Sequence, residues 1–114
     1  MKQKVSDYIA DRLAQEGICQ VFTVTGGGAM HLNDAFEKNK KLTVIHNHHE
    51  QACAMGAEGY ARIKEKPAAV CVTTGPGGTN ALTGVLGAYQ DNVPMVVISG
   101  QVRYATTVEN SGLN

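Results

Sequence analysis

The chain has 114 residues, 43% of them hydrophobic, with ten basic and ten acidic side chains and a formal net charge of zero. That size fits one domain with a real core, and the balanced, unclustered charge gives no footprint for nucleic acid or an anionic membrane surface. Aromatics are only 5% and Trp is absent, so Ala, Val and Gly must build the core by close approach of elements rather than by large anchors.

Cys19, Cys53 and Cys71 are odd in number and lack CxxC spacing, which argues for a reducing compartment and against a disulfide framework. No apolar run approaches the roughly 18 residues that span a bilayer. The opening MKQKVSDYIADRL carries acids in its first turns and reads as an amphipathic helix, not a signal peptide. The expected location is the cytoplasm, with neither nucleic acid nor membrane as partner.

Val5, Tyr8, Ile9 and Leu13 fall at helical spacing, with Ser6 as a candidate N-cap and Gly17 placed to end the helix. Val21–Val24 then reads as a buried strand that runs into Thr25-Gly26-Gly27-Gly28, where backbone can approach a ligand or a partner. A helix is predicted from about Ala29 to Lys38. The apolar run Leu42, Val44, Ile45 predicts a second buried strand.

That strand leads through His46, His48 and His49 to Glu50, at the head of a helix rich in small residues: Ala52, Ala54, Gly56, Ala57, Gly59 and Ala61. Such a helix suits close contact with another helix better than an ordinary core face. Past the turn Glu65-Lys66-Pro67, Ala68–Thr73 is a third strand without polar alternation, as in parallel sheets covered on both faces. It ends in Thr74-Gly75-Pro76-Gly77-Gly78, followed by a helix from about Thr79 to Gln90, a break at Asp91–Pro94, and a fourth strand, Met95–Ser99. The alternation predicts an α/β fold, a doubly wound and mostly parallel sheet in three layers. The stretch from Gly100 to Asn114 is polar and unperiodic where a covering helix is expected, so residues 1–114 read as a domain cut short at its C-terminal end.

Three strands end in glycine, at Gly26–Gly28, Gly75–Gly78 and Gly100, and a loop carboxylate, Glu50, stands at the end of the remaining one. All would lie at the carboxyl edge of the sheet, where such folds bind ligands. Neither longer loop matches GxGxxG, and no GxxxxGK followed by Ser or Thr occurs, which disfavours a dinucleotide fingerprint or a P-loop. His49 and Cys53 are four apart and could share a helix face as zinc ligands do, but no second ligand pair has defined spacing, so no metal site is assigned. Cys53, among small residues, reads as a small hydrophobe. Glu50 is open to two readings on composition alone: a helix-start acid favoured by the macrodipole, or a catalytic carboxylate.

Taken together, VFTVTGGGAMHLNDAF, HNHHEQACAMGAEGYAR and TTGPGGTNALTGVLGAYQDNVPMVVISGQV resemble the N-terminal, pyrimidine-binding domain of thiamine diphosphate-dependent enzymes, within the acetolactate synthase (acetohydroxyacid synthase) group. The resemblance runs from about Tyr8 to Val102, and the ordered set HEQ, AEGYAR, GPGGTN, DNVP and SGQV is more specific than any one piece. It implies the flavodoxin-like fold of those domains. It implies that Glu50 hydrogen-bonds N1′ of the cofactor's aminopyrimidine, that Gly26 and Gly27 lie beside that ring, and that Gln101 is an active-site glutamine near the substrate. Gly75, Pro76, Gly77 and Asn80 fall in the loop that faces the partner subunit's cofactor site. The implied activity is decarboxylation of a 2-oxo acid with transfer of the acyl equivalent, in a homodimer or homotetramer. Thiamine diphosphate and magnesium would be held through a GDG…N motif of a C-terminal domain, with FAD an option in the whole enzyme.

This chain has Val24-Thr25 where acetolactate synthases commonly carry Tyr-Pro, and it has no GDG…N motif. The fragment alone is therefore expected to be inactive. The alternative classes are a non-catalytic flavodoxin-like module for phosphate or nucleotide, and a dimerisation module built on the small-residue helix.

Overall fold

The computed structural model describes residues 2–112; Met1 at the start of the predicted amphipathic helix and the last two positions of the polar tail lie outside the described residues. Ten elements follow in order: α1 Val5–Gln15, β1 Gln20–Thr23, α2 Met30–Lys38, β2 Thr43–His46, α3 Glu50–Lys64, β3 Ala68–Val72, α4 Pro76–Asn80, α5 Leu82–Gln90, β4 Met95–Ser99 and α6 Val108–Ser111. The four strands form one parallel sheet in the order β2-β1-β3-β4. Its two faces follow from the period-2 alternation of strand side chains. Val21, Ala69, Cys71 and the partly buried Val44, Val96 and Ile98 turn to α1 and α2. Phe22, Val24, Ala68, Val70, Val72 and Met95 turn to α3 and the start of α5. The expected three-layer, doubly wound α/β fold is what forms.

Local chemistry fixes the ends of the elements. Gly17 takes φ +77°, Ile18 N–H donates to Leu13 O at 2.9 Å and Gly17 N–H to Ala14 O at 3.2 Å. This pair of bonds closes α1 with a Schellman turn, and Leu13 and Ile18 are both buried beside it, as that turn favours. The start of α1 differs from expectation. The helix begins at Val5 after Lys4, with no side-chain cap, so Ser6 is inside it. Its buried face is Ala10 and Leu13 with Ile9 alongside, while Val5 and Tyr8 stay exposed.

The small residues of α3 find their helix contact inside the chain. A Cβ on Gly84 of α5 would come 2.5 Å from Ala54 Cβ, so the two helices touch backbone to backbone. A Cβ on Gly56 would come 3.1 Å from the Phe22 ring, which lies under α3 edge-on to Tyr60. Phe36, with no exposed surface, anchors the opposite face; its loss to Ala would cost about 3–5 kcal/mol.

Three further expectations are corrected. β2 is an edge strand and largely exposed, not buried, because β1 rather than β2 takes the central place beside β3. The helix predicted from Thr79 is two, since Pro76 at the first helical turn starts α4 three residues early and the chain bends at Ala81 before α5. The tail is not without helix: α6 makes one turn, but it is exposed and covers no part of the sheet.

Candidate functional site at the carboxyl edge of the sheet

The connection after β1 runs over one face through α2, and the connection after β3 over the other through α4 and α5. The carboxyl ends of β1 and β3 are therefore the point where the winding reverses, and such folds open a crevice there. Thr73, directly after β3, is the hub of that edge. Its Oγ1 accepts a hydrogen bond from Gly28 N–H at 3.1 Å. A Cβ on Gly26 would lie 2.5 Å from Thr73 Cβ, and one on Gly77 would lie 2.7 Å from its Cγ2. The backbone of the β4 exit closes over the same place, since a Cβ on Gly100 would lie 2.2 Å from Gly28 O. Gly75 alone in this loop needs glycine for its own dihedral, with φ +62°.

Glu50 is the first residue of α3 and is half-buried. Its Oε2 accepts a hydrogen bond from Asn80 Nδ2 at 2.6 Å, and the same Nδ2 lies 3.4 Å from His49 Nε2. Glu50, Thr73, Pro76, Gly77, Thr79 and Asn80 line an open hollow of about 560 Å³. The absence of a side chain on Gly77 keeps it open, because a Cβ there would already stand 3.5 Å from Glu50 Oε1. The structure thus brings four predicted residues, Glu50, Pro76, Gly77 and Asn80, into one hollow. Gly26 and Gly27 line a neighbouring hollow of about 380 Å³ with Thr25, Met30 and Asn33, across the wall that Gly26 makes with Thr73.

Gln101 is not brought to Glu50. Its Oε1 accepts from Thr74 Oγ1 at 2.8 Å and from Val102 N–H at 2.9 Å, which ties the β4 exit to the β3 loop. The imidazoles and Cys53 also diverge. His46 Nε2 pairs with Glu37 at 2.5 Å on the surface, while Cys53 is buried and Asn47 donates to its Sγ at 3.4 Å. Among the described residues, no group of three His, Cys, Asp or Glu is placed to hold a metal ion. Burial pushes the Cys53 thiol up, as it pushes Cys71 up to about 11, so both behave as small hydrophobes.

Two participants escaped the sequence reading. Thr73 looked like the last residue of a strand; only the approach of three distant glycines gives it a role. Asn33 sits on the apolar side of α2, three residues after Met30 and three before Phe36. A polar residue at that spacing was the available signal.

Comparison with known proteins gives the family. The family described as "Thiamine pyrophosphate enzyme, N-terminal TPP binding domain" matches residues 3–112. The chain is similar to an acetolactate synthase large subunit of Haemophilus influenzae, 45% identical over 97 residues that make up 85% of this chain and 17% of that protein. It is 39% identical over 97 residues to the isozyme 3 large subunit of Escherichia coli, again 85% of this chain and 17% of that one. With the chloroplastic acetolactate synthase of Arabidopsis thaliana it shares 37% over 100 residues, 88% of this chain and 15% of that one. The chain thus spans about a sixth of the length of these relatives. With nearly all of its residues inside the family match and the carboxylate and glycine loops gathered at one sheet edge, the chain belongs to the thiamine pyrophosphate enzymes and is an N-terminal TPP-binding domain of that family.

Proposed function

We propose that the chain is the pyrimidine-holding domain of an acetolactate synthase-like enzyme that decarboxylates a 2-oxo acid and transfers the acyl equivalent. The observation that carries this is the Glu50–Asn80 hydrogen bond within a hollow whose walls are glycine and threonine. The residues fit an aminopyrimidine: the side-chain-free Gly77 leaves space beside Glu50 Oε1, while Asn80 occupies Oε2. When bound, thiamine diphosphate supplies the nucleophilic carbon that adds to the oxo acid's carbonyl and takes up the electrons left as carbon dioxide departs.

Glu50 would hold a proton at N1′ of a bound pyrimidine and move it to and from that atom. Asn80 fixes the carboxyl by donating to one oxygen, which directs the other toward the ring. Gly77, where a Cβ would stand 3.5 Å from Glu50 Oε1, leaves that oxygen free on the side of the hollow. Gln101, held by Thr74, shapes the substrate side of the same edge.

The diphosphate and magnesium belong to a further domain, and a flavin to another where one is used. The whole enzyme works as a cytoplasmic homodimer or homotetramer, and the exposed Leu82, Leu86 and Tyr89 along α5 support association. No helix among the described residues is long and apolar enough to cross a membrane. The test is hydrogen–deuterium exchange at the thiazolium C2 in a cofactor-loaded enzyme that carries this domain. Glu50→Gln keeps the size and one acceptor but cannot shuttle a proton, so exchange should slow by about 10²–10⁴-fold. Glu58→Gln, whose carboxylate is instead paired with Arg62 at 2.7 Å, should leave it unchanged. Exchange in Glu50→Gln as fast as in wild type would reduce Glu50 to a helix-start acid.

A further inference from the structure

The exits of β3 and β4 are joined side chain to side chain. Thr74 Oγ1 donates to Gln101 Oε1 at 2.8 Å, and Val102 N–H donates to the same oxygen at 2.9 Å. A backbone N–H can only donate, so the atom it meets is the carbonyl oxygen of the side chain and not its nitrogen. Two donors fill that oxygen's two lone pairs. What Gln101 has left to offer a ligand is its pair of N–H donors.

Thr74 is itself held in place. It is half-buried, and a Cβ on Gly28 would come 3.1 Å from its Cγ2, so the threonine methyl lies against bare backbone of the β1 exit. The β4 exit is pinned to the same region: Gly100 N–H donates to Val72 O at 2.8 Å, and Ser99 Oγ donates to Thr73 O at 3.3 Å. Gln101, by contrast, is exposed. A free glutamine side chain has many rotamers and can present either end of its amide. The threonine hydroxyl removes that freedom before a ligand arrives, which lowers the cost of binding one.

An ionised 2-oxo acid presents only acceptors at its carboxylate and carbonyl, so a side chain that can only donate matches it. We propose that Thr74 is a positioning residue for substrate: it holds Gln101 with its N–H pair committed to the acceptor oxygens of a 2-oxo acid. The proposal rests on the reading above, in which Gln101 borders that acid.

The first test uses this chain labelled with ¹⁵N. The heteronuclear NOE of the Gln101 side-chain amide should approach backbone values, unlike that of the exposed Gln90. Thr74→Val keeps the shape without the hydroxyl and should bring Gln101 down to the level of Gln90, while the Gly28 and Gly100 backbone amides stay in place. Thr74→Ser keeps the hydroxyl and should restore the order. Should Thr74→Val not fold, Thr74→Ala tests the same loss.

The second test uses a cofactor-loaded enzyme that carries this domain, with the best substrate from a panel of 2-oxo acids that includes pyruvate and glyoxylate. Thr74→Val should lower kcat/KM about three- to tenfold, the worth of one exposed neutral hydrogen bond, and Thr74→Ser should recover it. Gln101→Glu can still accept from Thr74 and Val102 but replaces the donors with an oxygen, so it should lose more than Thr74→Val. C2 exchange without oxo acid reads Glu50 instead, and a loss there in Thr74→Val that parallels the loss of turnover would mean a general disturbance of the edge and overturn the proposal.

A wild-type Gln101 as mobile as Gln90, an ordered Gln101 in Thr74→Val, or full kcat/KM in Thr74→Val or Gln101→Glu also overturns it. If Glu50→Gln exchanges at the wild-type rate while the Thr74 series behaves as stated, the role of Glu50 fails and the role of Thr74 stands. A wild-type enzyme that turns over no 2-oxo acid of the panel removes both.

Discussion

Asn80 donates its side-chain amide to Glu50 Oε2 at 2.6 Å, joining the last residue of α4 to the first of α3 across thirty positions of sequence. A charge-assisted bond of this length orders both partners, yet Glu50 keeps part of its surface in water, which discounts the bond's worth. Asn80→Ala should therefore destabilise the chain by only about 1 kcal/mol, read from a urea midpoint with unchanged slope. In a cofactor-loaded enzyme, C2 exchange should slow by about tenfold, less than in Glu50→Gln, because the carboxyl remains but is no longer aimed. A loss as large as that of Glu50→Gln would make Asn80 a participant in the proton transfer itself.

The contact between Gly84 and Ala54 sets the spacing of α3 and α5. Gly84→Ala places a methyl where only 2.5 Å is available and should cost about 1–3 kcal/mol through overpacking. Adding Ala54→Gly should return part of that loss, since it removes the methyl that is struck. Gly59→Ala, in the same helix with nothing within 4 Å of the new Cβ, should stabilise by about 0.5–1 kcal/mol through helix propensity. Thermal melts of these variants test the assignment. A Gly84→Ala chain as stable as wild type would mean that the two helices spread without cost.

How far the sequence discloses this molecule depends on which forces act locally. Gly17 ends α1 as expected because a left-handed residue followed by an apolar one is a local instruction. The carboxyl-edge loops were legible for the same reason: glycine runs after apolar strands. The exposure of β2 was not, because Leu42, Val44 and Ile45 look alike in a central or an edge strand, and strand order is decided by which helix crosses which face. Thr73 was hidden too. A threonine near a strand end is ordinary, and its place among Gly26, Gly28 and Gly77 exists only once β1 and β3 are paired.

Along α5, Leu82 and Leu86 are more than half exposed and Tyr89 is 80% exposed, on a helix whose other side is packed on α3. Contiguous apolar surface of this kind drives association. The chain should self-associate as its concentration rises, and Leu86→Glu should return it to a monomer in light scattering. Association that persists in Leu86→Glu would shift the contact to the open edges at β2 and β4. A wild-type monomer at high concentration would remove the apolar ridge as a cause.

The two buried thiols and the exposed one should separate by pH. Cys71 has no exposed surface, and burial raises its pKa from the ordinary 9.0 to about 11 because the thiolate loses its hydration there; its hydrogen bond with Thr23 opposes this only in part. The folded chain therefore keeps this proton at a pH where the unfolded chain has released it. By linkage, stability is undiminished below about pH 9 and falls as pH rises through the interval from about 9 to about 11, by roughly 2 kcal/mol if no other group intervenes. Cys71→Ala removes the titration at the cost of a small cavity, so its stability should be lower at pH 7 but decline less between pH 9 and 11. Thiol reagents give an independent readout. At pH 8 Cys19, which is exposed, should react within the mixing time of the reagent, while Cys53 and Cys71 should react only as fast as the fold opens. Prompt labelling of Cys71 at pH 8 in the folded chain would show that the sheet face beneath α1 and α2 is open to solvent, and the high-pH loss of stability would then need another source.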